Sequence, residues 1–181
     1  MNPRAAAHLI APAVVPRAGN WADLGAGEGT FTRALASLLE PGSRIFAVDR
    51  DAAALEVLHR HSREAVRVLP VNADFTQRFE WPGLGDASLD GMLFANALHY
   101  VPDPALVLRD LMERLSMGGR VIIVEYDRRG PNPWVPHPIP FAKLSAITAA
   151  AGLSAPVEVG RRPSAFGGDL YVAVADRLHG P

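Results

Sequence analysis

Cysteine is absent from the 181-residue chain. That excludes disulfides, thiolate metal sites and cysteine nucleophiles. No apolar run approaches the roughly 20 residues a membrane span needs. Charge of one sign is not in excess either: 18 Lys and Arg stand against 19 Asp and Glu, a net charge of -1. No basic surplus therefore points to nucleic acid or an anionic membrane as a partner. Repeats and low-complexity tracts are missing, and no metal-ligand cluster is visible. His59 and His61 stand two apart on a predicted helix, point in different directions and make a poor metal pair.

What is present is an ordinary globular composition, 49% hydrophobic, in a chain long enough for one domain with a substantial core. The expectation is a single cytoplasmic domain over residues 1–181, of unstated oligomeric state. Residues 1–19 are mildly apolar, which invites a signal-peptide reading, but Pro12 and Pro16 break them. They run straight into the first strand and read as a short helix packed on the domain.

Strand and helix patterns alternate along the chain. Strands are predicted at 20–24, 44–48, 66–71, 89–95 and 120–125. Pro70 marks the third as an early-ending or edge strand. Helices are predicted at 29–40, closed by Pro41-Gly42, at 51–62 behind Asp51, and at 103–116. The last has Asp103 as N-cap, Pro104 at the first position and Gly118-Gly119 as terminator. Residues 72–87 read as a polar loop. Residues 127–140 hold five prolines and form an irregular, substrate-side connection. A helix at 141–152 precedes strands at 155–160 and 169–175, whose short connection makes them antiparallel. Such alternation implies an α/β fold, a mostly parallel sheet covered on both faces. Ligands of such sheets bind at the strands' carboxyl ends, where strand order reverses.

The turn Gly25-Ala26-Gly27-Glu28-Gly29 falls at that reversal. Its glycines let a ligand lie against the backbone, and the following helix start would offer free N–H groups to a carboxylate or phosphate. The third glycine of the dinucleotide fingerprint would fall at Thr30, so the pattern is incomplete. Asp49 ends the second strand, where a carboxylate can accept from both hydroxyls of a ribose. Asp74 and Phe75 follow the third strand, a polar edge and an aromatic face for an adenine, although Asp74 equally suits an Asx turn. Asn96 follows the fourth.

In this combination the sequence resembles the class I S-adenosylmethionine (SAM)-dependent methyltransferases, particularly those acting on small molecules. The resemblance covers residues 20–126 in order. It rests on Asp23-Leu24-Gly25-Ala26-Gly27-Glu28-Gly29, Val48-Asp49, Asn72-Ala73-Asp74, Asn96-Ala97-Leu98-His99-Tyr100-Val101-Pro102-Asp103 and Leu115-x-x-Gly118-Gly119. It implies a Rossmann-like, doubly wound, seven-stranded sheet in the order 3-2-1-4-5-7-6, with an antiparallel C-terminal hairpin strand. It implies SAM as cofactor. Asp23, Gly25, Ala26 and Gly27 would lie at its methionine part, Asp49 at its ribose, Arg50, Ala73, Asp74 and Phe75 at its adenine, and Asn96 near its sulfonium. The loop from Asn96 lacks the Asn/Asp-Pro-Pro-aromatic signature of enzymes that methylate amide or exocyclic base nitrogens.

His99 suits a general base for a hydroxyl acceptor, or a structural place in its loop. Tyr100, Tyr126, Trp134 and His137 are the other substrate-side candidates. Glu125 and Asp127 flank Tyr126 at the end of the fifth strand. Arg128, Arg129, Arg161 and Arg162 read as solvated, unless the substrate is an acid. The expected activity is methyl transfer to a small molecule at O, N or C by in-line displacement. The alternatives are an NAD(P)-dependent oxidoreductase, which lacks a Tyr-x-x-x-Lys pair here, and a SAM-binding regulator without catalysis.

Overall fold

A computed structural model describes residues 1–60, 65–127, 130–164 and 168–178, with residues 59 and 60 by backbone alone. His61, Arg128 and Arg129, the His59 side chain and part of the connection between the last two strands lie outside the described residues. The elements are α1 (Pro3–Ile10), β1 (Asn20–Leu24), α2 (Thr30–Ala36), β2 (Arg44–Asp49), α3 (Ala52–Arg60), β3 (Arg67–Asn72), β4 (Leu89–Ala95), α4 (Pro104–Leu111), β5 (Leu115–Asp127), α5 (Phe141–Ala150), β6 (Val157–Pro163) and β7 (Asp169–Asp176). The strands form one seven-stranded sheet in the order β3-β2-β1-β4-β5-β7-β6. β1 pairs in parallel with β2 on one side and β4 on the other. β7 is antiparallel to both β5 and β6. The order reverses between β1 and β4, so the turn after β1 opens at the switch point.

Side chains alternate across the sheet, as the strand period requires. Trp21, Ile45, Leu93, Ile122 and Val124 face α1 and α2, where Ile10 and Leu35 meet them. Ala22, Phe46, Met92, Phe94 and Ile123 face the other way, against Leu108 of α4 and Leu144 of α5. Each of the larger aliphatic, methionine and phenylalanine side chains among them, when fully buried, contributes roughly 1.5–3 kcal/mol. At the N-terminus, Asn2 caps α1 by accepting from the Ala5 N–H at 2.9 Å, and Ala6 and Ile10 are fully buried.

The strands lie within a few residues of their predicted places, and Pro70 does sit on the edge strand, at a position where a missing N–H costs no ladder bond. α2 and α4 stop several residues short of their predicted ends. α2 ends at Ala36, although a turn carries on through the Leu39 N–H to the Leu35 carbonyl. α4 stops at Leu111, and one 3-10 turn over Met112–Arg114 leads directly into β5. β5 therefore begins at Leu115 and not at 120. Gly118-Gly119 lies within the strand, with Gly118 at φ +73°. The cause is long-range: Leu115 pairs with Leu89, and the Gly118 N–H bonds the Arg177 carbonyl while the Arg177 N–H bonds that of Gly119. Sheet pairing overrides the local helix-stop signal.

Candidate active site

The glycine turn is folded onto itself. Gly25, Gly27 and Gly29 take φ of +84°, +51° and +84°, the left-handed region that favours glycine. The N–H groups of Gly25 and Ala26 both donate to the Val48 carbonyl, at 2.9 and 3.0 Å, and that of Gly29 to the Ala26 carbonyl. The Gly27 N–H donates to Asp49 Oδ2 at 2.7 Å. These donors are consumed inside the fold, so N–H groups free for an anion would have to be those at the start of α2. Gly25 has a second constraint. A Cβ there would lie 2.6 Å from the Ala97 Cβ, so the glycine lets the loop after β4 close against the turn.

A cavity of about 560 Å³ opens over this turn. Gly25 forms its floor. Asp49 and Arg50 come from the end of β2, Ala73, Asp74 and Phe75 from beyond β3, and Asn96 from beyond β4. Asp49 Oδ1 accepts the Asp51 N–H at 2.9 Å. Each Asp49 oxygen thus holds one backbone donor and keeps acceptor capacity for another. Asp74 does form an Asx turn: its Oδ1 accepts both the N–H and the hydroxyl of Thr76, at 2.9 and 2.7 Å, which holds its carboxyl below the usual range. It lines the cavity nonetheless. Phe75 packs edge-on against Phe94, ring centroids 5.8 Å apart. Val101, Pro102, Leu106 and Val107 line it as well, an apolar wall that was not expected. The apolar Val101-Pro102 ahead of α4 was its only mark in the sequence.

Asp23 lies out of the cavity, buried between β1 and α2. The Thr32 hydroxyl donates to its Oδ2 at 2.6 Å, while Oδ1 has no partner. Burial pushes its carboxyl up to about 7; the Thr32 bond opposes this and the nearby Asp49 charge adds to it. Ala26 and Gly27 are likewise not among the residues that line the cavity. Asn96 does line it. Its φ is +56°, which Asn tolerates better than most residues, and its buried Oδ1 has no partner.

A second cavity, about 390 Å³, adjoins the first, and Asn96 and Tyr100 line both. Its other walls include His99, Tyr126, Asn132 and Trp134. Asn132 Oδ1 accepts the N–H groups of Trp134 and Val135, at 2.9 and 2.7 Å, and so shapes the proline-rich loop. Val135 is buried beneath it, while Trp134 remains 77% exposed at the rim. The loop is fastened further on, where the Tyr171 hydroxyl donates to the Ile139 carbonyl at 2.9 Å. His137 differs from expectation: its side chain is exposed and off the wall, and its backbone N–H donates to the His99 carbonyl at 2.9 Å. Burial, with the nearby Glu125 charge, pushes the Tyr126 phenol upward.

His99 is 2% exposed and Glu125 fully buried. His99 Nδ1 lies 2.6 Å from Glu125 Oε2, and the His99 N–H donates to Glu125 Oε1 at 3.1 Å. The pair spans the ends of β4 and β5. The sequence places Glu125 at this edge without showing a partner for it. Its one signal is an acid that directly continues the apolar run Val121–Val124.

Residues 22–121 match the family model described as "Methyltransferase domain". The chain is 36% identical over 115 residues to a demethylmenaquinone methyltransferase of Clavibacter sepedonicus, a match covering 63% of this chain and 44% of that protein. It spans less than half the length of the curated relatives it matches. Among solved structures, it superposes on the 1,6-didemethyltoxoflavin-N1-methyltransferase of Burkholderia thailandensis, solved with 1,6-didemethyltoxoflavin and S-adenosylhomocysteine bound. That match has a TM-score of 0.73 and 26% identity, over 98% of this chain and 78% of that one. The SAM-bound magnesium protoporphyrin IX methyltransferase of Synechocystis PCC 6803 shares the fold, with a TM-score of 0.69 at 16% identity, over 96% of this chain and 76% of that one.

Proposed function

The chain belongs to the class I SAM-dependent methyltransferases, and we propose that it methylates a small molecule held in the second cavity. The observation that carries this reading is the meeting of two cavities at Asn96 and Tyr100. One is walled by strand-end residues suited to the cofactor, the other by aromatic side chains. The residues present fit SAM. Asn96 Oδ1 is buried with no partner, Asp49 keeps acceptor capacity on both oxygens, and Ala73 and Phe75 supply an apolar face. When bound, the cofactor supplies a sulfonium-activated methyl group open to in-line displacement.

In this reading Asp49 holds the ribose hydroxyls, and Arg50, Ala73, Asp74 and Phe75 enclose the adenine. Gly25 and Asn96 border the amino-acid and sulfonium portion. Asp23, Ala26 and Gly27 act from behind, keeping the turn in shape. Tyr100, Tyr126 and Trp134 hold the acceptor, and His99 reaches it. Holding two reactants in line is the chain's main contribution, an effect that reaches roughly 7–11 kcal/mol in well-oriented systems. No charge excess recommends a nucleic-acid acceptor, and among the described residues no helix is long and apolar enough to cross a membrane.

Isothermal titration with SAM, S-adenosylhomocysteine and NAD(H) tests the cofactor assignment. Saturable binding of the first two, and a severe loss in Asp49→Ala, is the expected result. Affinity for NAD(H) without affinity for SAM would reverse it. Cofactor binding with no methyl acceptor found in a broad small-molecule screen would favour a regulator.

A further inference from the structure

Building on the methyl-transfer reading, we propose that the acceptor is a flat molecule of at least two fused rings, and that Trp134, set in place by Asn132, selects it by stacking on it. The cavity argues for the class of acceptor. Four of its described lining residues carry rings: His99, Tyr100, Tyr126 and Trp134. They run from its inner end to its mouth, since His99 is buried, Tyr126 half-buried, and Tyr100 and Trp134 exposed. The His99 ring lies 4.4 Å from that of Tyr100 and 6.0 Å from that of Tyr126, centroid to centroid. Aromatic faces attract a flat π system beyond the area they bury. A puckered, saturated ring of similar size lacks that gain. Size argues for more than one ring. A cavity of roughly 150 Å³ already holds a benzene, whereas this one measures about 390 Å³.

The rim argues for where the selection occurs. Trp21 is fully buried and Trp81 nearly so, whereas Trp134 is 77% exposed. Its indole therefore adds little to the core. Its backbone is fixed nonetheless. Asn132 Oδ1 accepts the N–H groups of both Trp134 and Val135. Asn132 and Val135 also exchange two backbone hydrogen bonds, each 3.1 Å. Pro133 and Pro136 flank Trp134-Val135 and fix φ on either side. Val135 anchors the turn from below, 4% exposed. An indole held this way is in place before the acceptor arrives, so stacking demands little further ordering. Asn132 is then a positioning residue: it acts on the acceptor through the placement of Trp134.

The test uses three probes that share one hydroxyl: phenol, 2-naphthol and decahydro-2-naphthol. Each is titrated by calorimetry into the whole protein saturated with S-adenosylhomocysteine, which fills the first cavity. The expected result is saturable binding of 2-naphthol, at least tenfold tighter than either phenol or decahydro-2-naphthol. Trp134→Ala, at an exposed position, should weaken 2-naphthol roughly 2- to 10-fold and leave phenol little changed, while Trp134→Phe should retain most of the preference. Asn132→Ala should weaken 2-naphthol in the wild-type background and have no further effect in Trp134→Ala, since neighbours that act through one another are not additive. Asn132→Asp keeps an acceptor for the two N–H groups and should restore binding. Phenol binding as tightly as 2-naphthol overturns the fused-ring acceptor, and decahydro-2-naphthol doing so overturns the stacking. Unchanged 2-naphthol affinity in Trp134→Ala overturns the role of Trp134. An equal loss from Asn132→Ala in both backgrounds overturns the positioning role of Asn132. Failure to bind 2-naphthol while S-adenosylhomocysteine binds overturns the acceptor class. Failure to bind S-adenosylhomocysteine itself overturns the methyl-transfer reading instead, so the two failures are told apart.

Discussion

Asp23 sits under the glycine turn with one oxygen bonded to Thr32 and the other unpaired. Its folded value, about 7 against an ordinary 3.8, is raised by burial. The folded chain therefore keeps a proton that the unfolded chain releases. The associated stability is complete below 3.8 and is lost as pH rises through about 7. Integrated over that window, the loss is roughly 4 kcal/mol. Asp23→Asn stays neutral throughout, so its urea-unfolding free energy should decline less than that of the wild type between those two values. Equal pH slopes in the two proteins would refute the assignment. Asp49 has a different position, at the cavity and holding the Gly27 N–H. Asp49→Asn keeps the side chain's shape and one acceptor, and should bind SAM more weakly than the wild type but better than Asp49→Ala, as read by titration calorimetry. At this scale much was legible: an acid at a strand end beside a glycine turn has few other purposes. That the turn's N–H groups were already taken was not legible, because backbone hydrogen bonding between β1 and β2 depends on register.

Glycines mark contacts between elements more reliably than ligand contacts. A Cβ on Gly91, in the middle of β4, would fall inside van der Waals contact of the Trp21 ring on β1. Trp21 is fully buried and has no room to yield. Gly91→Ala should cost about 1–3 kcal/mol through overpacking, measured by denaturant unfolding. Gly25→Ala meets two obstacles, the φ of +84° and the Ala97 Cβ. It should lower both stability and SAM affinity, since the loop carrying Asn96 must move away. Gly91 had no turn signal around it. Gly118-Gly119 carried a false one, read as a helix terminator and found inside β5, because the pairing of Leu115 with Leu89 is not a local property. The proline-rich loop was correctly read as irregular, since five prolines allow little else. Its attachment through Asn132, Ile139 and the His137 backbone was beyond a reading of composition.

For the molecule as a whole, both sheet faces are filled and the cavities lie along one edge, at the strands' carboxyl ends. Ligand binding at that edge should be felt globally, because it favours the folded state alone. S-adenosylhomocysteine at about 100 times its Kd should stabilise the fold by roughly 2.7 kcal/mol. For a chain of this size that raises Tm by roughly 5–11 °C, and NAD(H) should produce no such rise in a thermal-shift series. By itself the sequence determined the alternation of strands and helices, the turn at the switch point, and Asp49, Asp74 and Asn96 at successive strand ends. These are local patterns, each contained in a few neighbouring residues and repeated at the period of its element. Only the tertiary structure decided which polar groups satisfy one another. Asp49 spends part of its capacity on Gly27, Asp23 is left half-paired, and His99 meets Glu125 from 26 residues away. The reason is physical: a buried polar group must find its partner across the fold, and sheet register and loop closure, not sequence spacing, set that distance.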